Sequence, residues 1–103
     1  MGMPMFEETA RLWIREMFQE GKLHGEDQEF LSQLTKDYAR QLEDIFYCEV
    51  RNSLEKSGKV EEFERMVLYD SQYINKYLNQ LIPGYTGFKS DTFEKAKKMI
   101  LGT

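Results

Sequence analysis

Any chemistry in this chain rests on few residues, because it holds one histidine, His24, and one cysteine, Cys48. Zinc sites are built mostly from Cys and His, and di-iron bundles from Glu-x-x-His pairs, so neither set can be assembled and no metal is expected. His24 lies between Leu23 and Gly25 in a loop context and reads as an exposed loop histidine. Cys48 has Asp44 four residues before it and Glu49 beside it. Negative neighbours in a helix interior disfavour a thiolate, so Cys48 reads as a half-buried, small apolar residue.

The carboxylates form two clusters, Glu26, Asp27 and Glu29, and Glu61, Glu62 and Glu64. Neither alternates Asp or Asn ligands around a central Gly with a terminal Glu, as a calcium loop does, and both read as solvated helix starts. Gly-rich phosphate loops are absent. Glu49 falls on an otherwise apolar helix face, yet one acid without a partner supports no general acid–base mechanism. An acid site at Glu49 would require it to line a pocket with a second titratable group. Catalysis and a cofactor are therefore not expected.

The element that must position these residues is a long helix over about 28–56. That stretch has no Pro or Gly, and Leu31, Leu34, Tyr38, Leu42, Ile45 and Phe46 form one stripe at steps of three and four. At 1.5 Å per residue it would run roughly 43 Å, against a radius of gyration of about 13 Å for a compact domain of this size. After Phe46 the pattern turns: Glu49 falls on the stripe's centre, while Val50 and Leu54 swing toward the side of Tyr47. The last turns therefore face something else, either later helices of the same chain, which is the favoured reading, or a second molecule. Should they form an interface, Tyr47, Val50, Leu54 and Met66 are the side chains to carry it.

The other segments read as helices around it. Pro4 suits a first helical position, and Phe6, Ala10, Trp13, Ile14, Met17 and Phe18 make one face of a helix over about 4–20, with Leu12 off that face and Glu7 paired to Arg11. Gly21 ends it, Leu23 tucks back, and Asp27 caps the long helix. Ser57 and Gly58 stop the long helix. Val60, Phe63 and Val67 start another helix to about Tyr69, and Asp70 with Ser71 reads as the N-cap of a further one through Tyr73, Ile74, Tyr77, Leu78, Leu81 and Ile82, although the phase also continues from Val60 through Leu81 as one helix would, with Asp70 and Ser71 in its seam. Pro83 and Gly84 close that run, with Tyr85 and Phe88 in a loop plugging the core. A last helix opens at Asp91, with Glu94 completing a capping-box pair or Ser90 as the cap, and turns Phe93, Ala96, Met99 and Ile100 inward. The expected fold is all-α, a single domain of four or five helices over 1–103 with no internal repeat.

Composition narrows the partner. Eighteen acids against fourteen bases give a net charge of −4. Residues 1–52 hold eleven acids and six bases and residues 53–103 seven and eight, so the acid sits in the first half. Neither nucleic acid nor an anionic membrane is an expected partner. The helix pair across Asp70 could suggest helix-turn-helix DNA binding, but the second helix carries Lys76 as its only base. A basic cluster, Lys95, Lys97 and Lys98 with Lys89 nearby, reads as a solvated face that could also meet acids of the first half. No run approaches the ~18 apolar residues that span a bilayer, no signal peptide is evident, and one cysteine fits a reducing compartment, so a cytoplasmic location is expected.

From Phe63 through Asp70, Ile74, Leu78, Ile82-Pro83 and Tyr85 to the Lys-rich end, about the last 40 residues, the chain resembles an uncharacterised family of small acidic helical proteins of reduced-genome bacteria. The resemblance implies an all-helical fold and brings no activity or cofactor. What remains is interaction. Six methionines supply adaptable apolar surface, Met3, Met5 and Met66 being the ones set off from the core. A non-enzymatic interaction module, self-associating as a homodimer through the long helix, is the expected function. A small acidic inhibitor or regulator of a basic partner protein is the alternative.

Overall fold

Asp27 starts the long helix as its spacing predicts: its carboxylate accepts the Phe30 N–H at 2.7 Å, and its carbonyl accepts the Leu31 N–H. The computed structural model describes residues 4–25 and 27–102. The chain is an all-α bundle of helices α1 (Pro4–Gln19), α2 (Gln28–Leu54), α3 (Val60–Tyr69), α4 (Ile74–Leu81) and α5 (Tyr85–Leu101), with 3-10 turns at Glu55–Ser57 and Ser71–Tyr73. There is no strand among the described residues, and no helix there is long and apolar enough to cross a membrane. Met1, Gly2, Met3 and Glu26 lie outside the described residues. The chain divides into two compact units, Met1–Glu43 and Asp44–Thr103, with the division inside α2.

In unit 1, α1 buries Phe6, Ala10, Trp13 and Ile14, while Leu12 stands exposed as the spacing predicts and Phe18, expected inside, is also exposed. Glu7 and Arg11 pair at 3.1 Å. The helix stops in a six-residue hydrogen-bonded loop, Lys22 N–H to the Met17 carbonyl and Gly21 N–H to that of Phe18. This needs a left-handed residue, supplied by Gly21 at φ +76°. Along 28–43 the predicted stripe is only half-buried until Leu42, which is fully buried.

Unit 2 is organised on α2's last turns. Phe46 and Val50 are fully buried, and Tyr47 and Leu54 nearly so. Tyr47 meets Phe63 of α3 edge-on, with ring centroids 5.5 Å apart, and Phe46 meets Phe93 of α5 in the same way at 5.7 Å. Aromatic pairs of this geometry add about 0.5–1.5 kcal/mol beyond their burial. Ile74 and Leu78 of α4, Ile82, and Tyr85 and Ala96 of α5 complete this buried set. The helix stops where expected: the Ser57 hydroxyl donates to the Leu54 carbonyl at 2.9 Å, and Gly58 takes φ +71°.

Three local readings are corrected. Asp70 does separate two helices, but by its own backbone (φ −138°, ψ 41°); neither it nor Ser71 makes a side-chain cap bond. Tyr85–Ser90 is the first part of α5 rather than a loop, so Asp91 lies mid-helix and caps nothing. Gly87 inside a helix costs about 1 kcal/mol, and burial of Tyr85 and Thr92 on the same helix offsets it. Met99 points outward. Phe63→Ala is expected to lower stability by about 3–5 kcal/mol and Asp27→Ala by about 1 kcal/mol, read from urea unfolding midpoints. A change below measurement error for Phe63→Ala would contradict the packing described.

Candidate functional site

The residues that could have done chemistry are placed as follows. Glu49 is half-buried and accepts a hydrogen bond from the Lys95 ammonium of α5 at 2.8 Å. The acid on the apolar face is thus answered by a lysine of the basic cluster, and Glu49 lines none of the clefts described below. That pairing raises the Lys95 pKa, first through the hydrogen bond and then through the charge of Glu49. Cys48 is exposed, not half-buried: in a helix whose buried side runs through Phe46, Tyr47 and Val50, position 48 looks away. His24 is exposed, as read. Among the described residues, no three His, Cys, Asp or Glu side chains gather as a metal site.

Of the four interface candidates, Tyr47, Val50 and Leu54 are buried within the chain itself, and Met66 is half-buried. Met66 lines an open groove of about 240 Å³ with Tyr73, Lys76, Tyr77 and Gln80. Tyr73, on the groove's own rim, is 54% exposed, and close to it in the chain Leu68 and Tyr69 are exposed at 74% and 78%; Met99 of α5 is exposed too, at 62%. Leu68 and Tyr69 lie off the stripe of Val60, Phe63 and Val67, and that phase mismatch was the available signal for them. The break at Asp70 follows directly, so nothing on α3 continues past them. The Tyr77 hydroxyl is buried with no partner in hydrogen-bond geometry among the described residues. Burial raises its pKa first, and the charge of Glu62 adds to this.

Two further clefts are lined largely by residues with polar groups. In unit 1, Glu7, Arg11, Gln28, Leu31, Ser32, Thr35 and Lys36 line about 270 Å³ between α1 and the start of α2, where Arg11 is already paired to Glu7. In unit 2, a cleft of about 420 Å³ between α4 and the first turns of α5 is lined by Asn75, Lys76, Asn79, Tyr85, Thr86 and Lys89. The Tyr85 hydroxyl there donates to Asn75 Oδ1 at 2.6 Å. Comparison with family models, curated proteins and solved structures returns no match.

Charge divides with the units. Residues 1–43 hold nine acids and five bases and residues 44–103 nine of each, which together account for the eighteen and fourteen of the chain. The whole net charge of −4 therefore belongs to unit 1.

Burial pushes the Tyr85 phenol well above its ordinary value of 10, with Tyr47 adding a smaller upward effect. A raised folded pKa stabilises fully below the unfolded value and is lost as pH rises beyond it. Stability is therefore expected to fall from about pH 10 upward, and less steeply in Tyr85→Phe. Phenolate absorbance in alkaline titration checks this: the part of the signal missing from Tyr85→Phe should appear only with unfolding, whereas six tyrosines titrating together in the folded protein would contradict it.

Proposed function

We propose that this chain is a non-enzymatic interaction module that associates with a second copy of itself through the surface at the junction of α3 and α4. The observation that carries the reading is the concentration of Leu68, Tyr69 and Tyr73 in the open beside the groove of Met66 and Tyr77. Exposed apolar side chains scattered singly are ordinary, whereas three within six residues of the chain suit a contact surface. Tyr and Met are also the types enriched in the centres of interfaces.

The occupant follows from charge and symmetry. A two-fold contact places the same patch on both sides, so the patch must tolerate itself. Unit 2, with nine acids and nine bases, brings no net repulsion to such a contact, whereas unit 1 would. Met66 belongs to this surface, whereas Tyr47, Val50 and Leu54 are core. The acidic charge of unit 1 favours a second reading, a regulator that docks on a basic protein through that unit.

Light scattering over a dilution series at two salt levels separates the readings. A dimer indifferent to salt is expected, reduced to monomer in Leu68→Glu/Tyr69→Glu with helical circular dichroism unchanged. A monomer at every concentration would contradict self-association, as would a dimer that the double substitution leaves intact. A complex with a basic protein that dissolves as ionic strength rises would point to the second reading.

A further inference from the structure

Lys76 and Lys89 face a cleft that contains no carboxylate. Its lining joins them to Asn75, Asn79, Tyr85 and Thr86 in an open cleft of about 420 Å³. Lys22, Lys59 and Lys95 take the carboxylates of Glu20, Glu62 and Glu49, whereas Lys36, Lys56 and Lys98 make no ion pair among the described residues. Neither Lys76 nor Lys89 makes an ion pair among the described residues, although they come from different helices and border one space. Lys89 is half-buried, and its ammonium lies 5.8 Å from the Phe93 ring centroid, which restrains the side chain before any ligand arrives.

The neutral groups of the cleft point the same way. Thr86 and Asn79 bring a hydroxyl and an amide that can donate, and the Tyr85 hydroxyl holds Asn75 at the wall. The cleft also reaches the first turn of α5, a helix of 17 residues whose N-cap, Gly84, has no side chain to offer and whose first turn has no acid. Its leading N–H groups have no partner within the helix, and its dipole adds positive potential to that of the lysines.

We infer that this cleft binds the phosphate group of a small phosphate monoester. Lys76 and Lys89 meet its charge from two sides, and Thr86, Asn79 and the first N–H groups of α5 donate to its oxygens. Two cations with donors on several sides suit a dianionic, tetrahedral group better than a single carboxylate. The site borders the self-association surface at Lys76, which lines both spaces, while Lys89 lines the cleft and not the groove, and the substitutions below leave Leu68 and Tyr69 intact.

The test is an amide-resolved NMR titration of the full chain with phenyl phosphate and, separately, inorganic phosphate, each against sodium chloride at matched ionic strength. Saturable shifts are expected at Asn79, Thr86 and Gly87, tightening for phenyl phosphate as pH rises through about 6, where the monoester dianion forms. Lys76→Gln and Lys89→Gln should each weaken binding by about tenfold, the loss of one charge-assisted bond, and Lys56→Gln should leave it unchanged. Lys76 is exposed, so its substitution carries the test even if Lys89→Gln disturbs packing on Phe93. Saturation with phenyl phosphate but not with inorganic phosphate also supports the site, with Tyr85 as the wall for the organic part. Shifts that never saturate, that spread over lysines throughout the chain, or that Lys56→Gln weakens equally would overturn it as adventitious ion binding.

Discussion

Burial of the last turns of α2 is the constraint on which unit 2 depends. A helix that presents Phe46, Tyr47, Val50 and Leu54 must find cover for them, and the chain provides it with α3 through Phe63 and α5 through Phe93. The turn of the apolar face at Glu49 is what allows this. Phe46 serves α5 and Tyr47 serves α3, while Glu49 is held by Lys95 and Arg51 reaches Glu64 at 3.2 Å. These ion pairs are exposed or partly so and contribute little. The aromatic contacts supply the stabilisation.

What the packing leaves uncovered follows from the same arrangement. α3 is short because Asp70 leaves the helical region, and the turn at Ser71–Tyr73 restarts the chain as α4. Phe63 and Val67 face inward from α3, so Leu68 and Tyr69 are carried outward just before that break. Extending α3 by another turn would have given them neighbours on their own helix. The restart also sets Lys76 between the apolar groove and the polar cleft, and it lines both. Electrostatics add a division of labour, with net charge confined to residues 1–43 and a balanced unit after them.

Legibility in the sequence followed the length of the signal. The long helix, its Asp27 cap and its Gly58 stop were readable because periodicity over many turns and capping chemistry agree there. The Tyr85–Ser90 segment was misread because Pro83, Gly84 and Gly87 are strong local signals for a loop, and only tertiary burial of Tyr85 overrides them. Asp91 was misassigned for the same reason, since a cap motif within a continuing helix is only a surface residue. The inner side of α2's end was legible as a change of phase, yet phase alone does not say whether the cover is the same chain. Cys48 was placed too deep because its neighbours Phe46, Tyr47 and Val50 are all core. The cleft of Lys76 and Lys89 has no linear signal: its residues lie on two helices, and Pro83, Gly84 and Gly87 mark the start of one of them locally as a loop.

The central claim is that α2's far end is core within one chain. Amide hydrogen exchange along α2, measured at several protein concentrations, tests it most directly. The account predicts that Phe46, Tyr47, Val50 and Leu54 are among the slowest amides of unit 2 and that their protection is the same at every concentration. Protection at those four positions that fades on dilution would contradict it, because they would then be sheltered by a second molecule.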